Sequence, residues 1–192
     1  MKVVCLGDSL TAGYGVRTEE CWVSLLAGMT ASSWANAGVT GDSTGGMLAR
    51  LNHILLSQSP DAVLIMGGVN DILAAGSWEC AKPNVTAMVH QCAACGVRPV
   101  IGTPIPPHAE AARGRSSLLG LGATAEKTRS YIEWLRLFSG EFKLRMVDFA
   151  AAFDVYSREC GWSRAYFPDG LHPSVAGHRV MAEAAAAQKF FR

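Results

Sequence analysis

The chain opens MKVVCLGDSL, and its apolar run from Val3 to Leu6 stops abruptly at Gly7-Asp8-Ser9. A short β-branched run closed by turn residues reads as a buried strand. Reacting groups in α/β proteins gather at the carboxyl ends of such strands. Ser9 is therefore a candidate nucleophile, although the tripeptide alone reads more readily as a turn and helix cap.

A nucleophilic serine needs a base, a group that orients the base, and donors for the developing oxyanion. His53, His90 and His178 fall within helical patterns, and His108 lies in an irregular stretch. His172 differs: in FPDGLHPSVAG it follows Asp169 by three residues and immediately precedes Pro173. Proline favours the first position of a helix, which places His172 at or just before a helix N-terminus. Gly170 allows a tight turn, so Asp169 can reach back to the imidazole Nδ1 and leave Nε2 free for the serine proton. Asp169 as a plain turn residue and His172 as a helix-entry residue is the competing reading of this segment.

Donors for an oxyanion are available after two further strands. In NAGVTGDSTGG, Gly41 lies in a turn whose backbone N–H can face the site, and in MGGVNDI, Asn70 lies at a strand's carboxyl end. Glycine and asparagine are ordinary turn residues. What counts is that separate segments bring Ser9, Gly41, Asn70 and the Asp169/His172 pair to one edge of one sheet.

That edge has to be built by alternating elements. Strands are predicted at Lys2–Gly7, Ser33–Ala37, Ala62–Gly67, Arg98–Thr103 and Leu144–Phe149. Between them, Trp22, Leu25, Leu26 and Met29 follow the spacing of one helix face, as do Val85, Met88, Val89 and Cys92, and Tyr131, Trp134, Leu135 and Phe138. Thr44 to Gln58 reads likewise, with Met47, Leu48, Leu51 and Leu55 inward. Strands that are apolar without alternation belong to a parallel sheet covered on both faces. The expected fold is a three-layer α/β/α sandwich of five parallel strands, with the doubly wound order 2-1-3-4-5 as the default.

At 192 residues, 49% of them hydrophobic and 17% charged, the chain suits one globular domain spanning residues 1–192. A net charge of +1 gives no long-range reason to expect nucleic acid or an anionic membrane as partner. No run of about 18 apolar residues is present to span a bilayer. Lys2 leads straight into strand and motif with no apolar leader, so the chain as given reads as cytoplasmic, as would a chain whose leader had been removed. The six cysteines lie mostly in apolar patterns, and Cys92-x-x-Cys95, near the end of a helix and with no second pair, reads as structural; no metal is indicated. Pro104 to Gly122, PIPPHAEAARGRSSLLGLG, is the one long irregular stretch. Leu118 and Leu119 within it suit either an acyl-binding wall or lid, or an extra helix with an ordinary core face.

Taken together, the motifs resemble the SGNH-hydrolase superfamily, also called the GDSL esterase/lipase family. GDSLTAGYG resembles its first block, the glycine of NAGVTGDST its second, Gly68-Val69-Asn70-Asp71 its G-x-N-D block, and Asp169-Gly170-Leu171-His172 its D-x-x-H block. The resemblance implies a flavodoxin-like fold, no cofactor, and a serine esterase or thioesterase acting through an acyl-enzyme on a small ester. It assigns Ser9, Asp169 and His172 as the triad, and Ser9, Gly41 and Asn70 as the oxyanion hole. Family activities include lysophospholipase, thioesterase, arylesterase and carbohydrate acetylesterase. The α/β-hydrolase elbow G-x-S-x-G is not met, because Thr11 replaces its second glycine. An aspartyl-phosphate role for Asp8 lacks the second acid, Leu10 standing in its place. A non-catalytic flavodoxin-like binding domain is the alternative.

Overall fold

β1 (Lys2–Gly7) ends at the glycine that interrupts the apolar run and pairs in parallel with both β2 (Ser33–Gly38) and β3 (Ala62–Met66). β3 pairs with β4 (Arg98–Gly102), and β4 with β5 (Arg145–Val147), again in parallel. The order is β2-β1-β3-β4-β5, the doubly wound arrangement expected. This computed structural model describes residues 1–112 and 120–191, so Leu118 and Leu119 lie outside the described residues.

The helices in chain order are α1 (Ser9–Ala12), α2 (Trp22–Met29), α3 (Thr44–Gln58), α4 (Val69–Ala75), α5 (Ala81–Ala94), α6 (Leu121–Glu141), α7 (Phe149–Cys160), α8 (Trp162–Ala165) and α9 (Val175–Ala186). Successive strand residues face opposite sides of the sheet. Val3, Cys5, Leu64 and Met66 therefore join Trp22 and Leu26 of α2, Phe153 of α7 and Met181 of α9 in one core. Val4, Leu6, Val63 and Ile65 point the other way, onto Met47 and Leu51 of α3, Val85 and Met88 of α5, and Leu135 of α6. Both sides of β1 and β3 are covered, which is why their sequences show no alternation. No described helix is long and apolar enough to cross a membrane.

Several boundaries differ from the sequence expectation, each for a local reason. β5 stops at Val147 because Asp148 becomes the N-cap of α7, its carboxylate accepting from the Ala151 N–H. Pro173 does not occupy the first position of a helix. Its segment bridges to Tyr166, and α9 begins two residues later behind its N-cap Ser174. On α2 only Trp22, Val23 and Leu26 are buried; Met29, expected inward, is 40% exposed in the last turn. Leu121 and Gly122 of the irregular stretch are the first residues of α6, and Leu121 is fully buried. The Cys92/Cys95 pair is divided between the core face and the exposed end of α5. Among the described residues, no group of three or more His, Cys, Asp or Glu is placed to hold a metal.

α9 carries one polar liability into the core. His178 is completely buried; its Nδ1 faces the Trp22 N–H at 3.4 Å, and its Nε2 has no partner among the described residues. Burial pushes this imidazole down to about 4, with nearby His172 adding to the shift and Glu20 opposing it. The folded state keeps His178 neutral, whereas the unfolded chain protonates it below about 6.5. Its contribution to stability is constant above that pH and declines as pH falls toward 4. The buried Asp8 carboxyl, raised to about 7, titrates in the opposite sense across the same window. The difference between wild type and His178→Leu thus isolates the histidine. Urea titrations at pH 7.5 and 4.5 should show the wild type losing about 2–3 kcal/mol more than His178→Leu. Equal losses in the two proteins would place the acid lability elsewhere.

Candidate active site

The turn that presents Ser9 is fixed residue by residue. A side chain on Gly7 would put its Cβ 2.1 Å from Thr11 Oγ1 and 2.5 Å from the Met66 carbonyl, so only glycine lets β1 turn here beside β3. Asp8 caps α1, its Oδ1 accepting the Leu10 N–H at 2.9 Å. Ser9 is the first helical residue, 7% exposed, and Leu10 returns to the core. The G-D-S-L run therefore reads as approach, cap, reactive group and anchor.

His172 joins the reactive groups. Its Nε2 lies 3.0 Å from Ser9 Oγ, and its Nδ1 lies 2.7 Å from Asp169 Oδ2. Asp169 Oδ1 accepts the Leu171 and His172 backbone N–H groups at 2.9 and 3.0 Å. Burial pushes the Asp169 carboxyl up, but the hydrogen bonds from the His172 backbone and ring and the Leu171 N–H outweigh it and hold the group below the usual carboxylate range. An ionised carboxylate only accepts, so Nδ1 carries the ring proton and Nε2 is the acceptor facing Ser9. Gly170 makes the return possible with φ +67°, where an added Cβ would also meet the His108 carbonyl at 2.4 Å.

The donors converge because three strand ends are in register. Gly7 pairs with Gly38 of β2 and with Met66 of β3, so the turns after β1, β2 and β3 leave the sheet side by side. Among the described residues neither the Ser9 nor the Gly41 N–H has an acceptor. Asn70, expected at a strand end, is the second residue of α4, and its Nδ2 donates one hydrogen to the Asp42 carbonyl at 2.9 Å. Its second amide hydrogen has no acceptor among the described residues. Asp71 beside it is structural, accepting from the Thr44 N–H at 2.9 Å and Thr44 Oγ1 at 2.6 Å.

Two residues at the site, Arg50 and Tyr14, escaped the sequence reading, and the buried state of Asp8 did too. Arg50 of α3 donates to Asp42 Oδ2 at 2.8 Å, to the Ala37 carbonyl at 2.6 Å and to the Gly7 carbonyl at 2.8 Å. It thereby fastens the Gly41 turn to the ends of β1 and β2. The signal was an arginine set three residues after Met47 and one before Leu51, on the buried stripe of its helix. Tyr14, half exposed, lays its ring 4.3 Å from that of His172. Asp8 is buried with Oδ2 unpartnered, and burial, reinforced by the charges of Asp42 and Asp71, raises its carboxyl to about 7 against the Leu10 hydrogen bond.

An oriented base on a serine, with unspent donors beside it, is the arrangement used for acyl transfer. A family model of the GDSL-like lipase/acylhydrolase family matches residues 5–180. The chain belongs to that family. It is 38% identical over 93 residues to an arylesterase of Vibrio mimicus, and 31% identical over 112 residues to esterase TesA of Pseudomonas aeruginosa. These matches cover 46% and 55% of this chain, and 46% and 56% of those proteins, so the chain spans about half the length of the curated relatives it matches. The crystal structure of psychrotrophic esterase EstA from Pseudoalteromonas sp. is 27% identical with a TM-score of 0.69, covering 96% of this chain and 93% of that one.

The clamp on the Gly41 turn can be measured without any assay of activity. Arg50→Met should lower unfolding stability by about 2–3 kcal/mol, since it leaves the Asp42 carboxylate and two carbonyls short of a charged donor. In a double-mutant cycle with Asp42→Asn, the coupling should be about 1–3 kcal/mol. Strict additivity in urea melts would show that the two side chains do not act together.

Proposed function

We propose that this protein is a serine esterase that hydrolyses small carboxylic esters, acetyl or short acyl, and thioesters of the same acyl groups, through an acyl-enzyme. The observation that carries this is the double engagement of His172, with Ser9 Oγ at 3.0 Å on one nitrogen and Asp169 at 2.7 Å on the other. Family membership and the names of the two esterase relatives support the same class of substrate. Acyl-wall roles for Leu118 and Leu119 rest on the sequence alone.

In this reading His172 Nε2 takes the Ser9 proton as Oγ attacks the ester carbonyl carbon. The carbonyl electron pair moves to oxygen, where the Ser9 and Gly41 N–H groups and the Asn70 amide receive the negative charge. Asp169 holds the imidazolium that forms. On collapse the C–O bond to the alcohol breaks, and His172 returns the proton to the leaving oxygen. Water then enters, gives a proton to His172, attacks the acyl carbon and releases the acid with Ser9 restored.

Three measurements test this. A fluorophosphonate should label the protein covalently, and Ser9→Ala should abolish the labelling. Ser9→Ala and His172→Ala should each lower kcat on p-nitrophenyl acetate by about 10⁴-fold or more, with the double variant scarcely worse. Asn70→Ala should cost about 10²–10³ in kcat, roughly 3–4 kcal/mol, with KM little changed, because the donor acts when charge develops. Near-normal turnover by Ser9→Ala would sink the esterase reading. An Asn70→Ala variant that keeps kcat but melts earlier would reduce Asn70 to a support for the Asp42 turn.

A further inference from the structure

A cleft of about 430 Å³ lies between α6 and α7, closed at one end by the segment around His108 and by Trp162 of α8. Ser9, Gly41, Asn70 and His172 do not line it. It lies behind the loop that carries Asp169 and His172: the His108 N–H donates to the Gly170 carbonyl at 2.7 Å. Ile132, Phe153, Val155 and Pro107 give it apolar walls, and the Trp162 ring is stacked on His108 with centroids 4.0 Å apart.

The polar groups lining the cleft can be accounted for one by one. Arg136 is committed to Asp148 at 2.9 Å and to Glu133 at 2.5 Å. Arg158 is paired with Asp154 at 2.6 Å, and the Tyr166 hydroxyl donates to the Pro106 carbonyl at 2.6 Å. Those pairings occupy both lining carboxylates. His108 Nδ1 accepts the Ala111 N–H at 3.2 Å, which puts the ring proton of the neutral imidazole on Nε2. Arg129 has no carboxylate within ion-pair distance among the described residues, and His108 Nε2 has no acceptor there. Among the described charged groups of the cleft, Arg129 is therefore the guanidinium left without a carboxylate, and it stands with the His108 Nε2–H beside apolar and aromatic walls.

We propose that this cleft is a second ligand site for a small organic carboxylate with an apolar or aromatic body. The carboxylate meets Arg129 and the His108 Nε2–H, and the body lies against the apolar wall. Guanidinium–carboxylate pairing supplies the strongest donor geometry available there. The volume is at the small end of ligand cavities, which suits a body of a few carbons or a single ring. An inorganic anion would leave the apolar walls unused, and a neutral alcohol would leave the guanidinium unanswered. The site stands independently of the esterase reading, because it shares no lining residue with Ser9 or its partners.

Titration calorimetry on the full chain with sodium hexanoate, and ¹⁹F NMR with 4-fluorobenzoate, provide the test. Both should bind saturably. Hexan-1-ol and inorganic phosphate should each bind at least about tenfold more weakly than hexanoate. Arg129→Gln should weaken hexanoate by about tenfold. Ala151→Trp, which fills the cleft from α7, should abolish binding; both positions are exposed, so neither change disturbs the core. His172→Ala should leave the affinity unaltered, which separates this cleft from the serine site. Absence of saturable binding up to about 20 mM overturns the proposal. So does unchanged affinity in either cleft variant, or loss of binding in His172→Ala. Hexanol or phosphate matching hexanoate overturns the ligand class.

Discussion

The point where β1 stops holds the site together. Gly7 brings three constraints into one residue: no room for a side chain against Thr11 and Met66, a carbonyl that accepts the Val39 N–H at 3.0 Å, and the same carbonyl accepting from Arg50. The first forces the turn that presents Ser9 to His172. The second and third draw in the turn after β2. A side chain at Gly7 would push α1 off the end of β3 and pull Ser9 away from His172 and from the Gly41 and Asn70 turns. The helices on either face keep the sheet in register, and that register places these turns side by side.

Around this junction the protein has gathered more negative charge than positive. Asp8, Asp42 and Asp71 face one another behind the site, while Arg50 answers Asp42 directly. Asp71 is satisfied by the N-terminal residue of α3, and Asp8 is left with a bare oxygen in the core. The cheapest relief for a buried carboxyl of this kind is to hold its proton, and its rise to about 7 expresses that. At mildly acidic pH the arrangement keeps the residue beside Ser9 from carrying a full negative charge.

Much of this was legible in the sequence because the elements are short, locally coded and separated by turns. The apolar runs of β1, β3 and β4 marked the buried sheet, and the spacing of Val85, Met88, Val89 and Cys92 marked the buried face of α5. Spacing made the pairing of Asp169 with His172 one of two readings, since a three-residue return needs only one left-handed glycine but a plain turn and helix entry fit the same segment. What was hidden depended on contacts far along the chain. Arg50 lies on the buried stripe of α3, but its carbonyl partners at the ends of β1 and β2 are fixed only once those strands pair. Met29 follows the helical spacing, yet it is 40% exposed in the last turn of α2. Pro173 suits a helix start by its ring, but its segment is taken up by the bridge to Tyr166, which delays α9 to Val175. The order of strands could only be taken as a default, because which neighbours pair is decided by packing rather than by any strand's own composition.

The separation of Ser9 from His172 along the chain, 163 residues, has a consequence for synthesis. The ribosome makes Ser9 first and the turns bearing Gly41 and Asn70 soon after, with Asp169 and His172 well behind them. In the proposed reading the imidazole arrives only after all five strands have been made. Until the segment bearing Asp169 and His172 packs against the end of β1, the Ser9 hydroxyl has no imidazole beside it. The order of these residues along the chain thus makes the serine–imidazole contact a long-range product of folding rather than a local one.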